Sequence, residues 1–186
     1  PVLPRKNFSY KKGACPRRIS EPGSEGLPPE RQDELLHRYV LGLYHVMDVL
    51  TKRFPDVLFE NCASGGARMD AGMMYYFPQT WASDNSDAVC RLKIQYGTSL
   101  CYPPVMTTSH ISASPNHQML RQTPLDFRAA VSYPFNLGYE LNLCKMSDEE
   151  IEKISEQTAL YKKIRPYREE SSIVCLARLK EIRLRG

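Results

Sequence analysis

The 186-residue chain has no uninterrupted apolar run near the ~18 residues of a membrane helix, so no helical span is expected and no membrane partner. Histidine is scarce: His37, His45, His110 and His117 include no H-E-x-x-H pair and no Cys/His ligand spacing. The six cysteines (Cys15, Cys62, Cys90, Cys101, Cys144 and Cys175) never fall as C-x-x-C. Together these gaps argue against a metal site, and the scattered thiols read as reduced and the protein as cytoplasmic. A net charge of +4 comes without a basic stripe interleaved with aromatics, which argues against nucleic acid as a partner. The opening Pro1-Val2-Leu3-Pro4-Arg5-Lys6 lacks an apolar segment after its charges and does not read as a signal peptide.

What is present is a grammar of short apolar runs and amphipathic stretches. Residues 1–27, rich in Pro, Gly, Lys and Arg, read as loop or disorder. Pro28-Pro29-Glu30 opens a helix in which Leu36, Val40, Leu43, Met47 and Leu50 recur at helical spacing, closed by Phe54-Pro55. Val57-Leu58-Phe59 reads as a strand ending at Glu60-Asn61-Cys62 and the turn Ser64-Gly65-Gly66. A second strand is expected within Tyr75 to Ala82, ending at Ser83-Asp84-Asn85, with a helix from Ser86 to Tyr96.

Thr98 to Tyr102 is expected as a third strand, followed by a long loop from Pro103 to Asn116. A short helix over Pro124 to Ala130 leads to a fourth strand over Tyr139 to Leu143. Ser147 and Glu150 form a capping box for a last helix ending before Pro166. Alternating strands and helices predict an α/β fold with parallel strands, either doubly wound or part of a (β/α)₈ barrel.

Chemistry in such folds clusters just after the strands. Asp84 follows a strand and lies three residues after Trp81, where partial desolvation beside an indole would suit a general acid. The competing reading makes Asp84 or Asn85 the N-cap of the next helix. Cys62 precedes glycines that let backbone amides approach a ligand, or it is a buried thiol before a tight turn. His110 and His117 read as loop residues, and Met73-Met74-Tyr75-Tyr76-Phe77 as barrel core or wall.

Taken together, several blocks carry a resemblance. Leu58-Phe59-Glu60-Asn61-Cys62-Ala63-Ser64-Gly65-Gly66-Ala67-Arg68-Met69-Asp70 resembles the E-S-C-x-G-G-G-R-F-D block of glycoside hydrolase family 36, the α-galactosidases. Gln79-Thr80-Trp81-Ala82-Ser83-Asp84-Asn85-Ser86-Asp87-Ala88 is similar to that family's W-x-S-D-N-x-D block, and Pro115-Asn116-His117-Gln118 and Gly138-Tyr139-Glu140-Leu141 continue the match in order. The resemblance implies a (β/α)₈ barrel. Since a complete barrel takes about 250 residues, the expectation is its C-terminal half over residues 17–167. An irregular segment 1–16 and a divergent tail 168–186 would flank it.

The resemblance further implies hydrolysis of terminal α-galactosyl groups, of the raffinose or melibiose type, by double displacement between carboxyl groups about 5–5.5 Å apart. It implies no metal or organic cofactor, and homo-oligomers among full-length members. Asp84 matches the acid/base, and Cys62 and Gly65 match galactose-contacting positions. The family's nucleophile stands in K-W-D-M-N-R; here Lys12-Gly13-Ala14-Cys15-Pro16-Arg17 keeps Lys12, counted with the sugar contacts, but has Ala14 at the nucleophile's place. A methyl group cannot attack an anomeric carbon, so this chain is expected to be inactive by the family's route.

A reading-frame change would account for Ala14 and for the tail. Ala14-Cys15 can be encoded GCATGC, which holds an out-of-frame ATG, and synonymous codons for Ser171–Ile182 read in another frame give a family-like run. The sister specificities, α-N-acetylgalactosaminidase and α-galactosyl transfer, and a galactoside-binding remnant without turnover are the alternatives.

Overall fold

The computed structural model describes residues 10–14 and 22–170. The chain divides into two compact units, Pro1–Thr80 and Trp81–Gly186. Parallel strands alternate with helices in both, giving an α/β architecture consistent with part of a (β/α)₈ barrel.

The first unit opens with β1 (Tyr10–Ala14), inside the stretch expected as irregular. Tyr-Lys-Lys-Gly-Ala carries no apolar alternation by which a strand could be read from its sequence. It lies parallel to β2 (Leu58–Cys62), with Lys12 opposite Glu60 and Ala14 opposite Cys62. A 3₁₀ turn over Pro29–Glu34 leads into α1 (Leu35–Arg53), and Pro near the turn's first position matches its fixed φ. Leu43, Met47 and Leu50 of α1 face the core formed with Phe59, Met73 and Phe77. Leu36 and Val40, expected on the same face, are exposed.

The expected second strand is shorter than its apolar run. Ala71–Tyr76 is a helix, α2, and only Gln79–Trp81 pairs as β3, parallel to β2. Asp70 caps α2 by accepting from the Met73 N–H at 2.9 Å, which stabilises the helix where apolar residues alone favoured neither state. Met73, Met74 and Phe77 are buried as expected of core, and Phe59 stacks on Phe77 with ring centroids 5.2 Å apart. Tyr75 is exposed.

In the second unit α3 (Ala88–Ser99) runs into the segment expected as the third strand. The Thr98 hydroxyl donates back to the Ile94 carbonyl at 2.8 Å, and the Tyr102 N–H to Thr98 O, so this segment closes a helix. The strand is β4 (Thr107–Ser112), within the expected loop. It escapes a hydrophobicity reading because its buried positions include Thr107, Thr108, Ser109 and Ser112, which are polar.

Next come α4 (Leu125–Ser132), β5 (Asn136–Glu140, parallel to β4) and α5 (Asp148–Glu170). Ile111, Leu125 and Ala129 centre this unit's core. Ser147 and Glu150 exchange hydrogen bonds, the Ser147 N–H to Oε2 at 3.0 Å and the Glu150 N–H to Oγ at 3.3 Å, as the capping box required. However, α5 continues through Pro166. The carbonyl that loses its donor belongs to Lys162, which is exposed, so water can satisfy it.

Among the described residues no helix is long and apolar enough to cross a membrane, and no three His, Cys, Asp or Glu residues group as metal ligands. Cys62, Cys90, Cys101 and Cys144 are free thiols. Cys15, Cys175, Arg17–Glu21 and the tail from Ser171 lie outside the described residues.

Candidate functional site

The β1–β2 register sets Lys12 opposite Glu60 at mid-strand and the Ala14 backbone opposite Cys62 at the ends of the two strands. Glu60 is fully buried among polar partners: Lys12 Nζ lies 3.2 Å from Oε1, while Oε2 accepts from Gln79 Nε2 at 3.0 Å and from the Tyr10 hydroxyl. A buried carboxylate is tolerable only with such compensation. Burial, and then the neighbouring Glu60, push the Tyr10 phenol above its ordinary range.

Beyond Cys62 the chain turns sharply. Gly65 takes φ of 73°, a left-handed conformation that glycine adopts without steric cost, and its carbonyl accepts from the Ala63 N–H at 3.1 Å. Asn61 ties the same turn down by donating from Nδ2 to Arg68 O at 2.6 Å. Lys12, Cys62 and Gly65 thus belong to one strand pair and its turn, with the Ala14 backbone in register beside Cys62.

Asp84 belongs to the other unit and is not a helix cap. The N-cap of α3 is Asp87, whose Oδ2 accepts from the Cys90 N–H at 2.9 Å and from Arg121 at 2.5 Å. Asp84 is exposed rather than partly desolvated, and the Trp81 indole meets it as a donor, Nε1–H to Oδ1 at 3.1 Å. Trp81 itself is buried in a column: the His110 ring stacks on it at 4.3 Å, and the Arg91 guanidinium lies 4.3 Å from its centroid.

Arg91 is 1% exposed and rests on polar atoms rather than on a close carboxylate. It donates to Ser83 O at 3.0 Å, Thr108 O at 2.9 Å and Gln95 Oε1 at 2.9 Å. Burial pushes it down to about 10, opposed by the charge of Glu140, so it stays cationic at neutral pH. His110 Nδ1 lies 3.5 Å from Glu140 Oε2. His110 is therefore a strand residue, while His117 is exposed as expected.

Sequence reasoning passed over Glu60 and Arg91 as site components. A charged residue ending an apolar strand run was the available signal for Glu60. Arg91 had none, since its partners are mostly backbone carbonyls.

Gly138 lies opposite His110 on β5, and a methyl built there would sit 2.6 Å from His110 Cδ2 and 3.0 Å from Nε2. Gly138→Ala is expected to displace the imidazole from Trp81 and cost about 1–3 kcal/mol. Thermal unfolding reads the cost. Because Trp81 is the single tryptophan, intrinsic fluorescence reads the displacement. An unchanged emission spectrum would show that the stack is not seated against Gly138.

Comparison with known proteins gives concordant matches. The family model described as Melibiase matches residues 1–169. The α-galactosidase AgaA of Geobacillus stearothermophilus is 52% identical over 164 residues, covering 88% of this chain and 22% of the relative. An α-galactosidase of Lactobacillus acidophilus gives the same identity and coverage. The crystal structure of the Geobacillus enzyme superposes with a TM-score of 0.81 at 54% identity, covering 84% of this chain and 22% of that one. A variant of that enzyme in complex with raffinose matches with TM-score 0.81 at 53% identity, over the same shares of the two chains. The chain thus spans 22% of the length of these curated relatives.

Proposed function

This chain belongs to the Melibiase family, among the α-galactosidases of glycoside hydrolase family 36, and we propose that it carries the proton-donor part of a retaining α-galactosidase site without its nucleophile. The observation that carries this is the Trp81–Asp84 hydrogen bond in a loop directly after β3, within the block similar to the family's acid/base motif. In that reading Asp84 protonates the departing glycosidic oxygen and later takes a proton from water.

The β1–β2 register supports the nucleophile assignment. Ala14 pairs with Cys62, the position that resembles a galactose contact, and Lys12 stands one side-chain repeat before it. The substrate is a terminal α-galactoside of the raffinose or melibiose type. Related structures in complex with raffinose and with stachyose support that class. Retention of Lys12, Cys62 and Gly65 beside Ala14 favours a second reading, galactoside binding without turnover.

The test is hydrolysis of an aryl α-galactoside by the purified chain, with galactoside binding measured by calorimetry alongside. No phenol release above background is expected. Sustained turnover would overturn the assignment of Ala14 to the nucleophile's position. Binding lost on Cys62→Ala, without turnover in either protein, would favour the second reading.

A further inference from the structure

A carboxylate that must donate and then recover a proton needs one oxygen held and the other presented. Asp84 is exposed in the loop after β3, where burial does not hold its side chain. We infer that Trp81, packed against the Arg91 guanidinium and the His110 ring, is the positioning residue of Asp84, a role that rests on Asp84 being the acid/base.

The indole N–H donates to Oδ1 at 3.1 Å, and in this role Oδ2 is the oxygen that serves the glycosidic bond. The ring is held by two contacts, with the imidazole of β4 at 4.3 Å and with the guanidinium of α3 at 4.3 Å. Arg91 fixes more than the ring. Its bond to Ser83 O anchors the backbone next to Asp84, and its bond to Thr108 O anchors β4 two residues before His110. A cation against the π face also draws density from the indole and strengthens its N–H as a donor to an anion. Lysine could supply the charge but not a flat fork that reaches two carbonyls while lying on a ring. A charged neighbour of the imidazole among the described residues is Glu140 of β5, whose Oε2 lies 3.5 Å from His110 Nδ1.

The single tryptophan makes the contact observable without turnover. In ¹H–¹⁵N spectra of the full chain the one indole resonance is expected downfield, moving upfield as a neighbouring carboxylate is protonated on acidification. Asp84→Asn should abolish that step. Asp84 is exposed, so this variant keeps the fold and alone decides the contact; a step that persists in it overturns the inference. Arg91→Lys should shift the indole resonance upfield and broaden it while the methyl signals of Ile111 stay in place. An unmoved indole resonance in that variant overturns the role given to Arg91. If the spectra behave as expected but Asp84→Asn leaves galactoside hydrolysis by an active form unchanged, the contact stands and the acid/base reading falls.

Discussion

Ala14→Asp is expected to convert a silent site into a hydrolytic one, raising aryl α-galactoside turnover by about 10⁴-fold or more, the scale on which enzymes lose activity with their nucleophile. Because the chain spans 22% of its relatives, the measurement belongs in a chimera, with these residues replacing the matching segment of the Geobacillus α-galactosidase. The substitution adds a carboxylate at the end of β1, at the position in register with Cys62. Lys12 lies 3.2 Å from Glu60 Oε1, so an ammonium already stands one repeat from the new carboxylate.

Stereochemistry sharpens this test. Double displacement releases galactose first as the α-anomer, which proton spectra of the early reaction mixture resolve. Release of the β-anomer would mean that water attacks directly and that position 14 is not the nucleophile's. The alanine form offers the converse experiment. With excess azide, an azide nitrogen forms the bond to the anomeric carbon as the aryl oxygen departs with the electron pair, giving β-galactosyl azide. If neither the azide product nor an active Ala14→Asp chimera is obtained, the count that equates Ala14 with the nucleophile is wrong.

The two aspartates of one block show what was legible in the sequence. Asp84 and Asp87 stand three apart, and local rules offered the cap to Asp84 or Asn85. The structure gives it to Asp87, because α3 begins at Ala88 and only Asp87 reaches the Cys90 N–H. Boundaries of this kind depend on a residue or two of register, which composition does not resolve. Strands whose side chains were apolar were readable, as with Leu58–Phe59. β4 was not, since Ser109 is buried on Gln95 and Ser132 and Ser112 on the Ser86 carbonyl. Polar burial of this kind is specified by partners distant in sequence. The Arg91–Trp81–His110 column is invisible to periodicity for the same reason: it joins a strand end, a helix and a strand across 29 residues.

In the chimera made active by Ala14→Asp, Asp84→Asn is expected to separate substrates by their leaving groups. A sugar alkoxide departs poorly unless it is protonated, so raffinose cleavage should fall by about 10²–10⁴-fold. An acidic phenol leaves unaided, so its first release should persist as a burst, followed by slow turnover because water has lost its general base. Added azide needs no base and should restore the steady rate. The substitution is near-isosteric, and an amide oxygen can still accept from Trp81 Nε1, so the loss would reflect the missing proton rather than a collapsed loop. The alkaline fall in rate that marks an essential acid should vanish with it. Equal losses on raffinose and on an activated aryl galactoside, without a burst, would assign Asp84 to binding and leave the donor to be found elsewhere.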